Sequence, residues 1–470
     1  MFDNLEINFK TFFTSEELNQ LAKETKFVRR SSGKIDGKMF MDLIVFNNDC
    51  LKSQSLNDLS IILQERYKIP ISKQSLHERF NKYASDFLKK ALERLLTKQF
   101  SANYLVNEIP GIKRILLKDS VCFQVDKSLR DIYPGSSGNA SDACVRIQFE
   151  YDLLNGGIND LSLSAYTDQD AKNSKATIEK TRSGDLIIRD LAYMNLDVFE
   201  TLISKAAFFL CRLDHKVHVF TKKSEEEYQV IDFLRITKHM RKNNLEVSDN
   251  VVYIGTEKKL EVRLIVHLLP NEVLKKRIRE LKKKNKKKGR ATNFSPRYKA
   301  RLALNLYVTN TSEEQVETAN VWNFYRLRWQ IELVFKIWKS FCKIDKVKKV
   351  QIYRLQCYIY SKLIFILLGW QILWRVAILM EKHQKQLSML KAFKTLTGTK
   401  LSHMREAFIK MNTRIDGFIM EFFNISIKKH LLEERKNEPT SKHILDNVLS
   451  NGKKEKSEMK SIYIEMYKIA

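Results

Sequence analysis

Residues 1 to 105 repeat apolar positions at helical spacing. Ser15 is placed to cap a helix from Glu16, and Ser55-Leu-Asn-Asp58 reads as a capping box ahead of LSIILQERY. A break at Lys68-Ile-Pro-Ile precedes Ser72, which can cap a second helix, KQSLHERFNKYASDFLKKALERLL. Two helices across a tight turn within residues 55 to 96, the second carrying Lys73, Gln74, His77, Arg79 and Lys82, would suit a helix-turn-helix reader of DNA; an ordinary helical hairpin with a solvated face is the plainer reading.

After Pro110 the period shortens to that of strands. Ile115 to Val125 is one strand, and Asp119 shares its face with Leu117 and Val121, an unusual place for a carboxylate. CVRIQFEYDLL and INDLSLSAYT form a predicted hairpin turned at Asn155-Gly156-Gly157. A polar, Lys-rich helix over 168 to 182, a strand from Asp185 to Asp190, a helix from Asn195 to Ala206 and a strand from Ala207 to Arg212 follow. This is a mixed α/β sheet, in which ligand sites lie at the carboxyl ends of strands. From about 213 to 310, KVHVF, EYQVIDFLRI, VVYIG, LEVRLIVHLL and LALNLYVT all read as strands, a β-rich insertion. Residues 346 to 470 return to a helical texture without a sustained heptad pattern.

Composition narrows the class. A length of 470 residues allows two to four domains, and Gly 14 with Pro 6 excludes a low-complexity chain. The 83 Lys+Arg against 55 Asp+Glu give a net charge of +28, which makes a polyanion the first partner to consider. Much of the excess lies in KKRIRELKKKNKKKGR, Lys275 to Arg290, a run expected to be unstructured or solvated when free and to contact phosphates in bound DNA. Six scattered cysteines, none as Cys-x-x-Cys, fit a reducing cytoplasm. The N-terminus lacks the pattern of a secretory signal. The apolar run Leu363 to Trp374, bounded by Lys362 and Arg375, is shorter than the roughly 20 residues a bilayer span needs and reads as a buried helix, so no membrane partner is expected.

The most informative segment is Asn323 to Lys339, NFYRLRWQIELVFKIWK. As a continuous helix with Tyr325 at zero, it places Arg328 at about −60°, Glu332 at about −20°, Lys336 at about +20° and Lys339 at about −40°. One stripe then carries a phenol, a guanidinium, a carboxylate and two ammonium groups, while Leu327, Ile331, Val334, Trp338 and Phe341 face a core. On periodicity alone, Arg328 and Glu332 could also be an ordinary pair on a solvated face. Asp119 in a strand, Asp190 at a strand end and Glu332 on a helix are three carboxylates that an α/β sheet could bring together around two Mg²⁺ ions sharing a phosphodiester.

These residues resemble the DDE transposases of bacterial insertion sequences, specifically the insertion-sequence-four family, whose signature Tyr-x2-Arg-x3-Glu-x6-Lys is met by Tyr325, Arg328, Glu332 and Lys339. The likeness extends through LLKDS around Asp119, the YPGSSG loop, the YDLLNGG hairpin, IIRDLAY around Asp190 and the arm ending KKKGR. Where many members carry Asp-Arg-Gly after the second acid, this chain has Asp190-Leu191-Ala192. The resemblance implies an RNase H-like catalytic core over residues 106 to 345 with the β-rich insertion at about 213 to 310. A helical DNA-binding region (1 to 105) and a helical region suited to assembly (346 to 470) would flank it. It implies Asp119, Asp190 and Glu332 as catalytic metal ligands, holding two Mg²⁺ for which Mn²⁺ can substitute. DNA-binding roles then fall to Tyr325, Arg328, Lys339 and Lys336, with Lys283, Lys287 and Arg290 from the basic arm. The implied activity is excision and integration at terminal inverted repeats of double-stranded DNA, by a homodimer on paired ends in the bacterial cytoplasm, in association with the nucleoid. Two other readings stay open at this point: an inactive or domesticated DNA-binding descendant, and a sequence-nonspecific nuclease of the same fold.

Overall fold

A computed structural model describes residues 13–29, 35–47, 50–99, 109–136, 142–168, 173, 175, 177–193, 195–214, 217–224, 227–410, 415–433, 440 and 442–445. The first helix, α1 (Ser15–Glu24), is capped one residue earlier than expected. The Thr14 side chain accepts from Glu17 N, and Glu17 Oε2 accepts from Thr14 N, closing a capping box. Helix α2 (Gly37–Val45) follows an Asp36 cap, and α3 (Leu56–Tyr67) starts at Ser55 as expected. The long helix predicted after Ser72 divides into α4 (Lys73–Arg79) and α5 (Lys82–Thr97). Asn81 causes the break: its side chain accepts from Ala84 N at 3.2 Å and caps the second helix.

The strands β1 (Arg114–Gln124), β2 (Cys144–Asp152), β3 (Ile158–Ala165), β4 (Asp185–Arg189) and β5 (Phe208–Arg212) fall within a few residues of their expected bounds, with α6 (Leu196–Ser204) capped by Asn195. Gly156 turns the β2–β3 hairpin at φ +73°, and a Cβ there would come 2.2 Å from the Trp374 ring. The stretch 168 to 182, expected as a helix, lies partly outside the described residues and closes in the 3₁₀ turn Ile178–Lys180.

The region 213 to 310 is not β-rich throughout. It contains β6 (Val219–Lys222), β7 (Tyr228–Val230), α7 (Phe233–Lys242), β8 (Val247–Ile254), β9 (Leu260–Leu268), α8 (Asn271–Lys287), α9 (Pro296–Leu302) and β10 (Leu304–Thr309). EYQVIDFLRI splits because Asp232 accepts from Leu234 N at 2.8 Å and starts a helix within the apolar run. The basic arm, expected to be unstructured or solvated when free, is a helix. Beyond it come α10 (Val321–Arg326), α11 (Trp329–Ser340), α12 (Ile352–Lys382), α13 (Met389–Thr397), α14 (Leu401–Lys410) and α15 (Asp416–Lys429). The polar tail after Glu433 lies almost wholly outside the described residues.

The chain forms two compact units, each assembled from three segments. One unit comprises residues 1–104, 120–168 and 330–436. Its centre is α12, which packs against α5, α2, α13 and α15. This helix has 31 residues, far more than the apolar run suggested, and by length and composition it could cross a bilayer. Instead, 94% of its most apolar window is buried inside the protein, as expected for a core helix. Trp370 Nε1 donates to Gly156 O at 2.8 Å, and the buried Lys362 Nζ donates to Asn47 O at 3.1 Å.

The other unit comprises residues 105–119, 169–329 and 437–470. Its sheet runs β1-β4-β5-β10-β9-β8-β6-β7. Strands β1, β4 and β5 are parallel, and the remaining pairs are antiparallel. Arg114, opposite Asp185 in the β1–β4 register, donates to both its carboxylate oxygens, at 2.7 and 2.5 Å, which pins that register. Leu116, Ile187, Phe209, Leu264 and Val308 share one core. Because β10 pairs directly with β5, the inserted strands continue the core sheet. A hairpin between two parallel strands, with helical segments before and after, is the connectivity expected of an RNase H-like mixed-sheet core.

Candidate active site

Lys118 of β1 pairs with Arg189 of β4, so Asp119 and Asp190 are the next residues along two neighbouring parallel strands. Neighbouring strands lie roughly 4.8 Å apart, which puts two carboxylates side by side, Asp119 within β1, which runs on to Gln124, and Asp190 at the carboxyl end of β4. Asp190 ends its strand and begins a 3₁₀ turn, with Tyr193 N donating to Asp190 O at 3.0 Å. Cys211 pairs with Arg189 on the next strand, and Arg212 pairs with Tyr307 of β10. Asp119, Asp190, Arg212 and Tyr307 therefore form a row across four strands.

Two donors from one segment meet the aspartates. Tyr325 Oη donates to Asp190 Oδ1 at 3.2 Å, and Arg328 Nη1 donates to Asp119 Oδ2 at 3.1 Å. Both side chains are buried, at 4% and 8% exposure, so neither lies on a solvated face. The helix is also interrupted: α10 ends at Arg326, and a turn at Leu327 and Arg328 precedes α11. The Tyr325 ring stands 5.2 Å from that of Tyr307, and the Arg328 guanidinium 5.9 Å from the Tyr325 ring. Burial raises the Tyr325 phenol above the usual tyrosine range; the Asp190 charge adds to this, while Arg328 and Arg212 oppose it. Burial and Asp190 likewise push the Cys211 thiol up to about 12, which leaves it an inert core group.

On α11, Glu332 and Lys336 are exposed and Lys339 is half-buried, while Ile331, Val334 and Trp338 are buried as the pattern predicted. Among the described residues, no three of His, Cys, Asp and Glu are gathered so as to hold a metal ion together. The structure thus brings together Asp119, Asp190, Tyr325 and Arg328. Two adjacent carboxylates still form a hard oxygen donor set of the kind Mg²⁺ accepts, since that ion needs only one or two beside water and phosphate oxygens. Lys283, Lys287 and Arg290 are exposed on or just after α8. Arg212, an exposed cation in the row beside Asp190, escaped the sequence reading. Its place follows from the register, in which Cys211 pairs with Arg189 and Arg212 with Tyr307.

Paired carboxylates on neighbouring parallel strands, each met by a phosphate-competent donor, in a chain of net charge +28, are the marks of an enzyme of nucleic-acid phosphodiesters. Residues 110–368 match the family described as Transposase DDE domain. The chain belongs to this family: it is a DDE transposase of the insertion-sequence type. It is 32% identical over 395 residues to the transposase for insertion sequence element IS231F of Bacillus thuringiensis subsp. israelensis, covering 81% of this chain and 82% of that one. To the transposase for insertion sequence element IS1151 of Clostridium perfringens it is 31% identical over 410 residues, covering 83% and 85%. A cryo-EM structure of piggyBac transposase in a synaptic complex with hairpin DNA resembles it over 93% of this chain and 86% of that one, at TM-score 0.42 and 11% identity. DNA is the partner this family implies, and divalent metal its cofactor.

Proposed function

We propose that the protein excises and integrates an insertion sequence by phosphodiester hydrolysis and strand transfer at terminal inverted repeats, acting as a homodimer on paired ends in the bacterial cytoplasm. Asp119, Asp190 and Glu332 hold two Mg²⁺ ions, with Mn²⁺ able to substitute. These ions supply the Lewis acid that attack on phosphorus requires. Tyr325, Arg328, Lys336 and Lys339 position the backbone near the scissile phosphate, and Lys283, Lys287 and Arg290 add phosphate contacts that carry no base information. The observation that carries this reading is the meeting of Asp119 and Asp190 with Arg328 and Tyr325. When DNA enters, Arg328 can exchange a carboxylate for the paired oxygens of a phosphate, which its planar fork fits. Tyr325 can do the same as a single neutral donor.

The test replaces charge while keeping shape. Asp119→Asn, Asp190→Asn and Glu332→Gln should each abolish cleavage and strand transfer in Mg²⁺, while a gel-shift assay finds terminal-repeat binding near normal. Double substitutions should cost little beyond single ones, because groups acting as a unit are not additive. Robust Mg²⁺-dependent cleavage by any single variant would remove that residue from the ligand set.

A further inference from the structure

The basic run that composition made conspicuous is an ordered helix with two different faces. With Lys275 at zero, Lys282, Lys286, Arg279 and Lys283 fall between about −20° and +80°, and all five are exposed. Leu274, Arg277, Ile278, Leu281 and Asn285 fall between about −60° and −160°, and all five are partly buried. The inner face is tied down by Arg277, whose Nη1 donates to Leu302 O at 2.9 Å and whose Nη2 donates to Asn305 Oδ1 at 3.0 Å. At the far end, Asn285 Nδ2 donates to Ala291 O at 2.8 Å. These anchors turn the cationic face outward over a groove of about 570 Å³ lined by Lys275, Ile278, Arg279, Lys282, Lys283, Lys286 and Thr292.

From these observations we infer that the outer face of α8 is a rail for target DNA, the duplex into which the freed ends are joined. The inference rests on the transposase reading above and deepens it. A row of like charges repels itself unless a polyanion lies along it, and no residue of α8 is fully buried to offset that repulsion. The row from Lys275 to Lys286 is about 16 Å long at 1.5 Å per residue, enough to follow several phosphates spaced 3.4 Å apart along one strand. Between Lys275 and Lys286 it offers ammonium groups and one guanidinium; the exposed Glu280 lies off it at about +140°, Glu272 precedes it by one turn, and Asn285, the amide within its length, is turned inward. It therefore grips phosphate and reads no base. Terminal repeats must be told apart by sequence, whereas a target duplex need only be held.

The test uses full-length protein carrying Lys275→Ala, Arg279→Ala, Lys282→Ala and Lys286→Ala together, changes that keep or raise helix propensity at exposed positions. Binding to a random-sequence duplex, measured in an Asp190→Asn background across a salt series, should weaken. The slope of log K against log salt should shrink by about 0.9 for each phosphate the variant leaves unneutralised. In the catalytically intact background, cleavage at the terminal repeats should stay within about twofold, while strand transfer into a plasmid target falls about tenfold or more at physiological salt. An unchanged slope and unchanged strand transfer would overturn the inference. Equal losses in end binding and target binding would overturn it too, assigning the rail to the ends. Failure of wild-type protein to cleave at all would count against the proposed function, and the binding series would still report on the rail.

Discussion

Tyr325 and Arg328 each touch one aspartate, and their chemistry separates what each contributes. The phenol is neutral and its raised pKa keeps it so, which means it can donate to Asp190 or to a phosphate at any working pH. Tyr325→Phe should therefore lower the cleavage rate without moving the pH profile, by about 10- to 100-fold if one hydrogen bond to a charged group is removed. An altered alkaline limb in that variant would show that the phenol ionises during turnover. The linkage has a definite sign: a group whose pKa is raised on folding contributes stability that is complete below its unfolded value, about 10 for tyrosine, and is lost as pH climbs above it. Arg328→Lys should weaken both activity and the hold on Asp119, because a point charge replaces a fork. If activity and end affinity survived that change, the Arg328–Asp119 contact would be structural only. Asp119 and Asp190 were legible in the sequence because a carboxylate within or ending an apolar strand violates the pattern around it. Arg212 was not, since a cation closing a strand breaks no rule; only the register with Arg189 and Tyr307 reveals its place.

At the scale of elements, the sequence was read well where the period changed and poorly where it continued. Asn81 interrupts α4 and α5 without disturbing the spacing of apolar residues, and the turn at Leu327 and Arg328 does the same between α10 and α11. In both places local hydrogen bonding decides, and a projection at fixed angle cannot see it. What sets the direction of α10, and so of Tyr325, is the connection before it. Arg263 of β9 donates through Nε to Asp249 Oδ2 at 2.6 Å, through Nη1 to the carbonyls of Thr311, Ser312 and Val316 at 3.3, 3.1 and 2.8 Å, and through Nη2 to Thr318 Oγ1 at 2.9 Å and to Glu313. One guanidinium of the inserted strands thus holds the loop that leads into the segment bearing Tyr325 and Arg328. Arg263→Lys keeps the charge beside the buried Asp249 but cannot reach three carbonyls at once. Below its melting transition that variant should bind terminal repeats normally and cleave about tenfold more slowly, as small misplacements of reacting groups do. Arg263→Ala should also lose stability, by about 3 kcal/mol or more, because Asp249 is left buried without its cation. Normal single-turnover rates in the Lys variant would show that the loop holds its shape without Arg263.

Across the whole molecule, texture and packing give different divisions, and one experiment separates them. Residues 346 to 470 look like a helical domain of their own because their composition differs from the strands before them. Yet α12 spends its apolar surface on α5 and α2 from the other end of the chain: Phe365 meets Phe46 edge to face at a centroid distance of 6.4 Å, and Gln356 Oε1 accepts from Ser85 Oγ at 2.8 Å. Leu363, Ile364, Leu367 and Leu373 are all fully buried. Exposing one such side chain costs about 1.5 to 3 kcal/mol, so removing four removes as much as the 5 to 15 kcal/mol by which domains are typically stable. A fragment of residues 1 to 345 should therefore fail to fold its N-terminal helices even though every motif residue is present. The expected signs are loss of a cooperative thermal transition by circular dichroism, rapid proteolysis within residues 15 to 97, and no specific binding to terminal repeats. Adding residues 346 to 470 as a separate chain should restore some of the transition, since the missing interactions are noncovalent. Were the 1 to 345 fragment to melt cooperatively and bind ends unaided, the C-terminal helices would be an appended module, and α12 would owe its burial to packing that the rest of the chain does not need.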